Sequence, residues 1–248
     1  MTLANALLAW YAADGRSLPW RQHRDPYRIW ISEIMLQQTQ VVSVIPYYGR
    51  WMARFPDLKT LAIADIQEVL HLWQGLGYYQ RAQNLHRTAQ ILWHTHHGEF
   101  PREVPELRQL PGIGAYTAGA IAAIAYNQPQ PAIDGNVRRI LCRLFAVHTL
   151  SGTGDRQLED YYRQIMPAGR NRDFLQALMD LGALICTAKV PQCSRCPIAS
   201  HCGAHHQGIA DQIPHKPRRS PIPTRTAIAL VHRTATHTLM QQSSDRGL

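Results

Sequence analysis

The segment from Leu110 to Ala120 has the sequence LPGIGAYTAGA and separates two stretches with the apolar spacing of α-helices. Its glycines, Gly112 and Gly114, permit a tight turn and a close approach of another backbone or a ligand. The amides that open the following helix point outward, which is the geometry that binds a phosphate oxygen. A Pro-Gly-x-Gly turn is often only a turn. Between two helices in a basic chain, it predicts a helix–hairpin–helix clamp on a DNA backbone.

The same helical spacing runs from Leu3 to about Leu184, and no strand-like alternation of useful length interrupts it. It predicts an all-α fold of roughly ten helices, broken by glycines and by prolines, Pro46 among them. One helix start, Asp65-x-x-Glu68, resembles a capping box.

The composition changes at residue 213. Residues 214–223 contain four prolines and three basic side chains, a composition that cannot pack a core, so 213–223 are predicted to be an extended linker. Residues 224–248 turn strand-like, and these 25 residues are too few for an independent fold. We expect them to be the opening of a second domain.

The overall composition is that of a folded, basic protein. The 248 residues are 45% apolar and carry 26 Lys+Arg against 17 Asp+Glu, a formal net charge of +9, mostly from arginine. Arginine suits fork-like contacts with phosphate, so a polyanion is the expected partner and a solvated basic surface the alternative. No apolar run reaches the ~20 residues of a membrane helix, and no basic segment precedes the apolar opening. We expect a monomer in the cytoplasm, associated with the nucleoid, with no membrane partner.

Four of the five cysteines cluster near the end of the helical region, at Cys186, Cys193, Cys196 and Cys202. Four thiolates within 17 residues are able to surround one metal centre. The single C-x2-C pair with longer arms favours a [4Fe–4S] cluster over zinc, which remains the alternative. Cys142 lies in an apolar run and is predicted to be a buried core thiol.

Two carboxylates stand in contrasting surroundings. Glu33 lies in the stretch 29–36, whose only other polar residue is Ser32. An exposed helical glutamate is the ordinary interpretation, but these neighbours predict burial, which raises a carboxyl pKa and suits a general acid. Asp134 begins a helix and is either an ordinary N-cap or an ionised group that stabilises a cationic sugar. Such a pair is the arrangement used in glycoside cleavage.

The segment 75–82, with the sequence GLGYYQRA, places two tyrosines and an arginine on a glycine-rich turn. Either tyrosine is able to serve as a core residue. An enzyme that extracts a base from DNA must fill the stack that the base leaves, and Tyr78 or Gln38 is a suitable wedge.

Together these features resemble the adenine DNA glycosylases of the MutY family, within the helix–hairpin–helix superfamily that includes endonuclease III. The resemblance extends from about residue 3 to 212. It is carried by LPWR at 18–21, SEIMLQQTQV at 32–41, GLGYY at 75–79, LPGIG at 110–114, DGNV at 134–137 and the cysteine spacing.

The resemblance implies a two-lobed fold, in which a six-helix barrel of residues 22–129 faces an iron–sulfur cluster lobe made of 1–21 and 130–212. Duplex DNA with adenine opposite 8-oxoguanine or guanine would bind across the cleft. Glu33 would protonate the flipped adenine and later handle water, and Asp134 would stabilise the oxocarbenium ion or trap it covalently. The remaining implied roles are support of the sugar by Tyr116 and Asn136, adenine contacts from Arg16, Trp20, Arg21, Leu36 and Gln176, wedging by Gln38 and Tyr78, and contact of the Lys189 loop with the DNA backbone.

Two departures from this superfamily pattern matter. Bifunctional relatives have a lysine where this chain has Tyr116, and the hairpin contains no lysine, so cleavage of the strand through a Schiff base is not expected. The family also has a C-terminal Nudix-like domain that recognises 8-oxoguanine, and residues 224–248 resemble only its first strands.

Two rival functions share part of this pattern. An endonuclease III-like pyrimidine glycosylase/lyase shares the hairpin, Asp134 and the cluster, but Glu33, Tyr116 and the linker speak against it. A non-catalytic iron–sulfur DNA-binding protein has no reason to keep both Glu33 and Asp134.

Overall fold

The computed structural model describes residues 1–150, 154–215, 234 and 236. All regular elements within these residues are helical, which confirms the all-α prediction. Twelve α-helices are present there rather than roughly ten, because α4, α7 and α12 have only four or five residues and are too short to show a spacing. In chain order the α-helices are α1 (Leu3–Asp14), α2 (Pro26–Leu36), α3 (Val41–Arg54), α4 (Leu58–Ala62), α5 (Ile66–Trp73), α6 (Gln80–Thr95), α7 (Val104–Leu107), α8 (Ala115–Tyr126), α9 (Gly135–Leu144), α10 (Gly154–Ile165), α11 (Asn171–Leu184) and α12 (Gly203–His206). Short 3-10 helices lie at Pro19–Arg21, Cys193–Arg195 and Ala199–His201.

The prediction that Pro46 breaks a helix was wrong, because Pro46 lies inside α3. Proline removes one hydrogen bond to the carbonyl four residues earlier, here that of Val42. The Val42 side chain is 79% exposed, so this carbonyl lies on a side of the helix that water reaches. The predicted capping box is only partly formed. Asp65 accepts from the Gln67 amide at 2.6 Å, but the Glu68 side chain pairs with Arg54 instead of accepting from the Asp65 amide.

The buried apolar side chains form two clusters. The first joins α2–α8, with tryptophans such as Trp30, Trp51 and Trp73 at its centre. The second joins α1, α9, α10 and α11 with the segment that follows them, and Tyr162 and Phe174 are among its largest members. Burial of these side chains is the main source of stability for each half. The lobe boundaries given above remain a prediction.

Helix α8 belongs to both clusters. Ile121 packs in the first cluster and Ile124 in the second. A Cβ at Gly119 would lie 2.5 Å from the Pro131 carbonyl oxygen, so glycine is required where the chain crosses α8 on its way to α9. The helix after the hairpin is therefore an element that both halves share, as is α2, whose Ile29 packs in the second cluster and Trp30 in the first.

Residues Met1–His215 form one compact unit. Ile213, the first residue of the predicted linker, is buried, and its carbonyl oxygen accepts from Arg143 Nε at 2.9 Å. Residues 216–223 of that linker and the strand-like segment 224–248 lie outside the described residues, except for Thr234 and Thr236. No helix in the described part of the chain is long and apolar enough to cross a bilayer.

Candidate active site

Residues of both apolar clusters line a cleft of about 640 Å³. The cleft brings together ten of the predicted site residues: Arg16, Trp20, Arg21, Glu33, Leu36, Gln38, Tyr116, Asp134, Asn136 and Gln176. They come from segments spread over 160 residues of sequence, from the loop after α1 to α11. The tertiary fold, rather than one local sequence motif, therefore brings the site residues together.

Glu33 lies on α2 and is 6% exposed, as its apolar neighbours predict. The Tyr116 hydroxyl, on the first turn of α8, donates to Glu33 Oε2 at 2.8 Å. Burial raises the pKa of Glu33 to about 7, the Tyr116 hydrogen bond opposes this rise, and the negative charge of Asp134 adds to it. A carboxyl group of this kind is half protonated near neutral pH, which is the condition for a general acid.

Asp134 is the N-cap of α9. Its Oδ1 accepts from the Val137 amide at 2.7 Å, and its Oδ2 accepts from Asn136 Nδ2 at 3.1 Å. Both bonds fix the orientation of this carboxylate at the N-terminus of α9, where the helix dipole has its positive end. The ordinary N-cap and the catalytic interpretation are therefore compatible, because capping fixes a negative charge at the cleft.

Arg139 links this carboxylate to the cysteine loop. Its Nη2 donates to Asn136 Oδ1 at 2.8 Å and to the Gly182 carbonyl at 2.7 Å, and its Nε donates to the Cys186 carbonyl at 2.7 Å. A Cβ at Gly182 would lie 2.6 Å from Asn136 Cβ. The close approach of α11 to α9 thus fixes the amide that holds Asp134.

Arg16 and Arg21 converge on Asp180, a carboxylate on α11 with no exposed surface. Arg21 forms a two-pronged contact, with Nη1 to Oδ2 at 2.7 Å and Nη2 to Oδ1 at 2.8 Å, while Arg16 Nε donates to Oδ1 at 2.7 Å. Burial alone raises the pKa of Asp180, but the hydrogen bonds and positive charges of Arg21 and Arg16 bring it below its ordinary value. The cleft wall therefore has two oriented guanidinium groups, and the negative charge of Asp180 neutralises part of their positive charge. Gln176 lies one turn before Asp180 on the same helix.

The predicted wedges and the predicted contacts with the DNA backbone lie at the edge of the cleft or outside it. Gln38 is exposed at its rim, whereas Tyr78 is 65% exposed and is not part of its lining. Lys189 is exposed in the loop after Cys186. Gly112 adopts φ +76, as a tight hairpin requires, and Gly114 is the N-cap of α8, two residues before Tyr116.

The four clustered cysteines are free thiols that line one small cavity. Among the described residues, no three His, Cys, Asp or Glu side chains are arranged to hold a metal ion. Arg143 also lines the cavity, is 2% exposed and donates to Cys186 Sγ at 3.2 Å. A buried cation needs negative charge nearby, and a thiolate-bound centre supplies it. Cys142 is fully buried in the second cluster and does not line the cavity.

Sequence reasoning missed Asp180 and Arg139 as site residues. Asp180 had the same signal as Glu33, a single carboxylate in an apolar stretch, here 174–184. Arg139 had no such sequence signal, because two of its acceptors are backbone carbonyls of the distant α11 segment.

The family model of the HhH-GPD superfamily of base excision DNA repair proteins matches residues 31–165, more than half of the chain. The chain belongs to this superfamily. The match contains the hairpin, Glu33 and Asp134, and it confirms the family resemblance drawn from the motifs.

Among sequence relatives of this HhH-GPD protein, adenine DNA glycosylase of Rattus norvegicus is 44% identical over 225 residues, which cover 85% of this chain and 44% of the relative. The enzyme of the same name from Buchnera aphidicola (Baizongia pistaciae) is 42% identical, covering 89% and 63%. The human one is 44% identical, covering 84% and 40%. The chain thus spans roughly half the length of these curated relatives.

Solved HhH-GPD-like structures share the fold. A thermostable thymine-DNA glycosylase aligns with a TM-score of 0.74 and 27% identity, over 82% of this chain and 95% of that one. A non-covalent endonuclease III–DNA complex aligns with a TM-score of 0.70 and 22% identity, over 83% and 94%.

Proposed function

We propose that this protein is a DNA glycosylase that removes adenine mispaired with 8-oxoguanine or guanine in duplex DNA. The observation that carries the proposal is the pairing of a buried glutamate, Glu33, with a capped aspartate, Asp134, in one cleft. The names of the relatives, at 40–44% identity, support adenine as the base. A mispaired base costs less to unstack than a paired one, which supports a mismatch as the substrate.

Glu33 is the general acid in this proposal. Its proton passes to a ring nitrogen of the extruded adenine, and the bonding electron pair of the N-glycosidic bond leaves with the base. The Tyr116 hydroxyl holds Glu33 Oε2 and so fixes the direction of the carboxyl group. Glu33, now a carboxylate, takes a proton from the water that attacks the sugar.

Asp134 faces the sugar carbon from which the base departs. Its carboxylate is negative while the sugar develops positive charge, and its two hydrogen-bond donors keep it in place without reorganisation. Arg16, Arg21, Gln176 and the apolar side chains Trp20 and Leu36 are proposed to contact the base, since they line the same cleft.

The reaction is proposed to stop after hydrolysis of the glycosidic bond. A Schiff base with the sugar needs an amine at the cleft, and the position at the start of α8 is occupied by Tyr116, a phenol that donates to Glu33. The two lysines in the described part of the chain, Lys59 and Lys189, are not among the residues that line the cleft.

Cys186, Cys193, Cys196 and Cys202 are proposed to hold one [4Fe–4S] cluster. When bound, the cluster supplies cross-links between residues 186 and 202 and offers no chemistry to the glycosidic bond. Arg143 stabilises its negative charge and ties the segment to Ile213. Purified protein is expected to contain about four irons and four sulfides per chain. Cys193→Ser should lose this content, whereas Cys142→Ser should keep it.

DNA is proposed to lie across the cleft, with the hairpin at Gly112 and Gly114 on one phosphate and the Lys189 loop near another. Contacts of this kind anchor the duplex without reading its sequence. They also make binding fall steeply with salt. The lobe of residues 22–129 and the lobe of residues 1–21 plus 130–212 would then contact opposite sides of the extruded nucleotide.

The test is single-turnover release of adenine from duplexes containing A:8-oxoguanine, A:G and A:T. The wild type should act on the first two and spare the third. Glu33→Gln and Asp134→Asn should each slow release by at least ~10²-fold while duplex binding survives. Glu159→Gln, a half-exposed glutamate on α10, is the matched control and should leave the rate unchanged. Borohydride should trap no adduct, and strand breaks should appear only after alkali.

A further inference from the structure

Arg81, at the start of α6, joins two segments that lie about 40 residues apart in sequence. Its Nη1 donates to the carbonyl oxygens of Ile34 at 2.9 Å and Gln37 at 2.6 Å, at the end of α2. Its Nη2 donates to the carbonyls of Leu76 at 3.0 Å and Gly77 at 3.2 Å, in the turn after α5. One planar group therefore sets the distance between the two segments.

Each of these segments continues directly into an exposed side chain on a left-handed backbone. Gln38, after Gln37, has φ 57, and Tyr78, after Gly77, has φ 47. A residue other than glycine holds this conformation only where its surroundings enforce it. The Arg81 guanidinium carbon also lies 5.6 Å from the centre of the Tyr78 ring. The same guanidinium thus contacts the backbone segments that lead into both exposed residues, Gln38 and Tyr78.

A lysine is unable to reproduce this arrangement. Its ammonium group has three donors on one nitrogen, whereas the guanidinium spreads its donors over two prongs that face different segments. The positive charge is the same in both residues. Replacement of Arg81 by lysine therefore separates the geometry of the contact from its charge.

We propose that Arg81 is a positioning residue that fixes the spacing between Gln38 and Tyr78, so that both side chains enter the base stack when the target base is extruded. The inference rests on the proposed function, because only a protein that extrudes a base needs side chains to fill the stack. Arg81 itself does not line the cleft and does not touch the reacting atoms.

The first test reads extrusion directly. A duplex with 2-aminopurine at the target position, opposite guanine, becomes more fluorescent when this base leaves the stack. With saturating Arg81→Lys, the fluorescence rise should be several-fold smaller than with the wild type. Arg87→Lys changes an exposed arginine on the same helix and should give the full rise. A full rise with Arg81→Lys would overturn the proposal.

The second test asks whether Arg81 acts through the two side chains. Single-turnover adenine release is measured for Arg81→Lys in the wild type and in a Gln38→Ala/Tyr78→Ala background. We expect a loss of at least about tenfold in the first case and little further loss in the second, because residues that act through one another are not additive. Equal losses in both backgrounds would mean a general structural role and would contradict the proposal.

Thermal melting of each variant verifies that it is folded at the assay temperature, so that folded proteins are compared. If Arg81→Lys melts below the assay temperature, Arg81→Gln takes its place in the same cycle, since its amide still donates to one segment. Absence of adenine release by the wild type would refute the proposed function but not this inference, which the fluorescence test still decides.

Discussion

Glu33 is an ionisable group held among apolar side chains, so pH controls its proton. Burial raises its pKa to about 7, and the proposed reaction needs the protonated form. The single-turnover rate should therefore be nearly constant below pH 7 with respect to this group and should fall above it, approaching about tenfold per pH unit. The measurement is the rate of adenine release across this range at saturating protein. A rate that stays flat to pH 9 would remove Glu33 as the acid.

Asp180 is the residue on which two arginines of the cleft depend. Asp180→Asn leaves two cations without their buried counter-charge, so the free energy of unfolding should drop by about 3–5 kcal/mol. Adenine release should also slow, because asparagine keeps only one of the two acceptor oxygens that orient Arg16 and Arg21 and replaces the other with a donor. Urea unfolding measures the first effect.

The control for Asp180 lies on the same helix. Asp173 pairs with Arg170 at the surface, with 43% of its side chain exposed. Asp173→Asn should cost no more than ~1 kcal/mol, as surface ion pairs do. Similar losses for the two variants would show that burial of the Asp180 site does not decide its energy.

At the scale of elements, the hairpin before α8 offers a matched pair of glycines. A Cβ at Gly112 would lie 2.8 Å from Asn84 Cβ, and its φ of +76 disfavours any side chain. A Cβ at Gly114 meets nothing within 4 Å. Gly112→Ala should therefore cost about 1–3 kcal/mol of stability, and Gly114→Ala, which changes an N-cap without a steric clash, about 0.5–1 kcal/mol.

The affinity for duplex DNA should also distinguish the Gly114 variant from the Gly112 variant. Gly114→Ala places a methyl group beside the first amides of α8, where the proposed phosphate contact lies, so it should weaken binding while the fold stays stable. A Gly114→Ala protein that binds the duplex as tightly as the wild type would place the phosphate contact elsewhere.

Elements also show where sequence reasoning succeeds. The long helices, the hairpin and the surroundings of Glu33 follow from spacing and composition, which are local properties. The four-residue helices do not, since they are too short to show a spacing, and the tolerance of Pro46 does not, since it depends on which carbonyls water reaches. The roles of Arg81 and Arg139 were not predicted for a further reason. Their acceptors are mostly backbone carbonyls of distant segments, and since every residue has a carbonyl, no sequence pattern marks these contacts.

For the whole molecule, the position of α8 predicts that the two apolar clusters unfold together. This helix packs Ile121 into the first cluster and Ile124 into the second, so neither cluster survives if α8 is lost. The site depends on the same helix, because Tyr116 lies in its first turn and touches Glu33 of α2. Residues 1–215 should therefore melt in one transition with equal calorimetric and van't Hoff enthalpies.

Tryptophan fluorescence turns this coupling into a measurement once Trp10, which packs against the second cluster, is replaced by phenylalanine in every variant, because the other five tryptophans belong to or pack against the first cluster. Ile121→Ala and Ile124→Ala each remove a buried side chain from α8, at a cost of about 2–5 kcal/mol. Ile121→Ala should lower the melting midpoint seen by these tryptophans. Ile124→Ala, whose side chain lies in the other cluster, should lower it by a similar amount. If the clusters were independent, Ile124→Ala would leave the tryptophan transition where it is, and the cleft would lie between two separately folding halves.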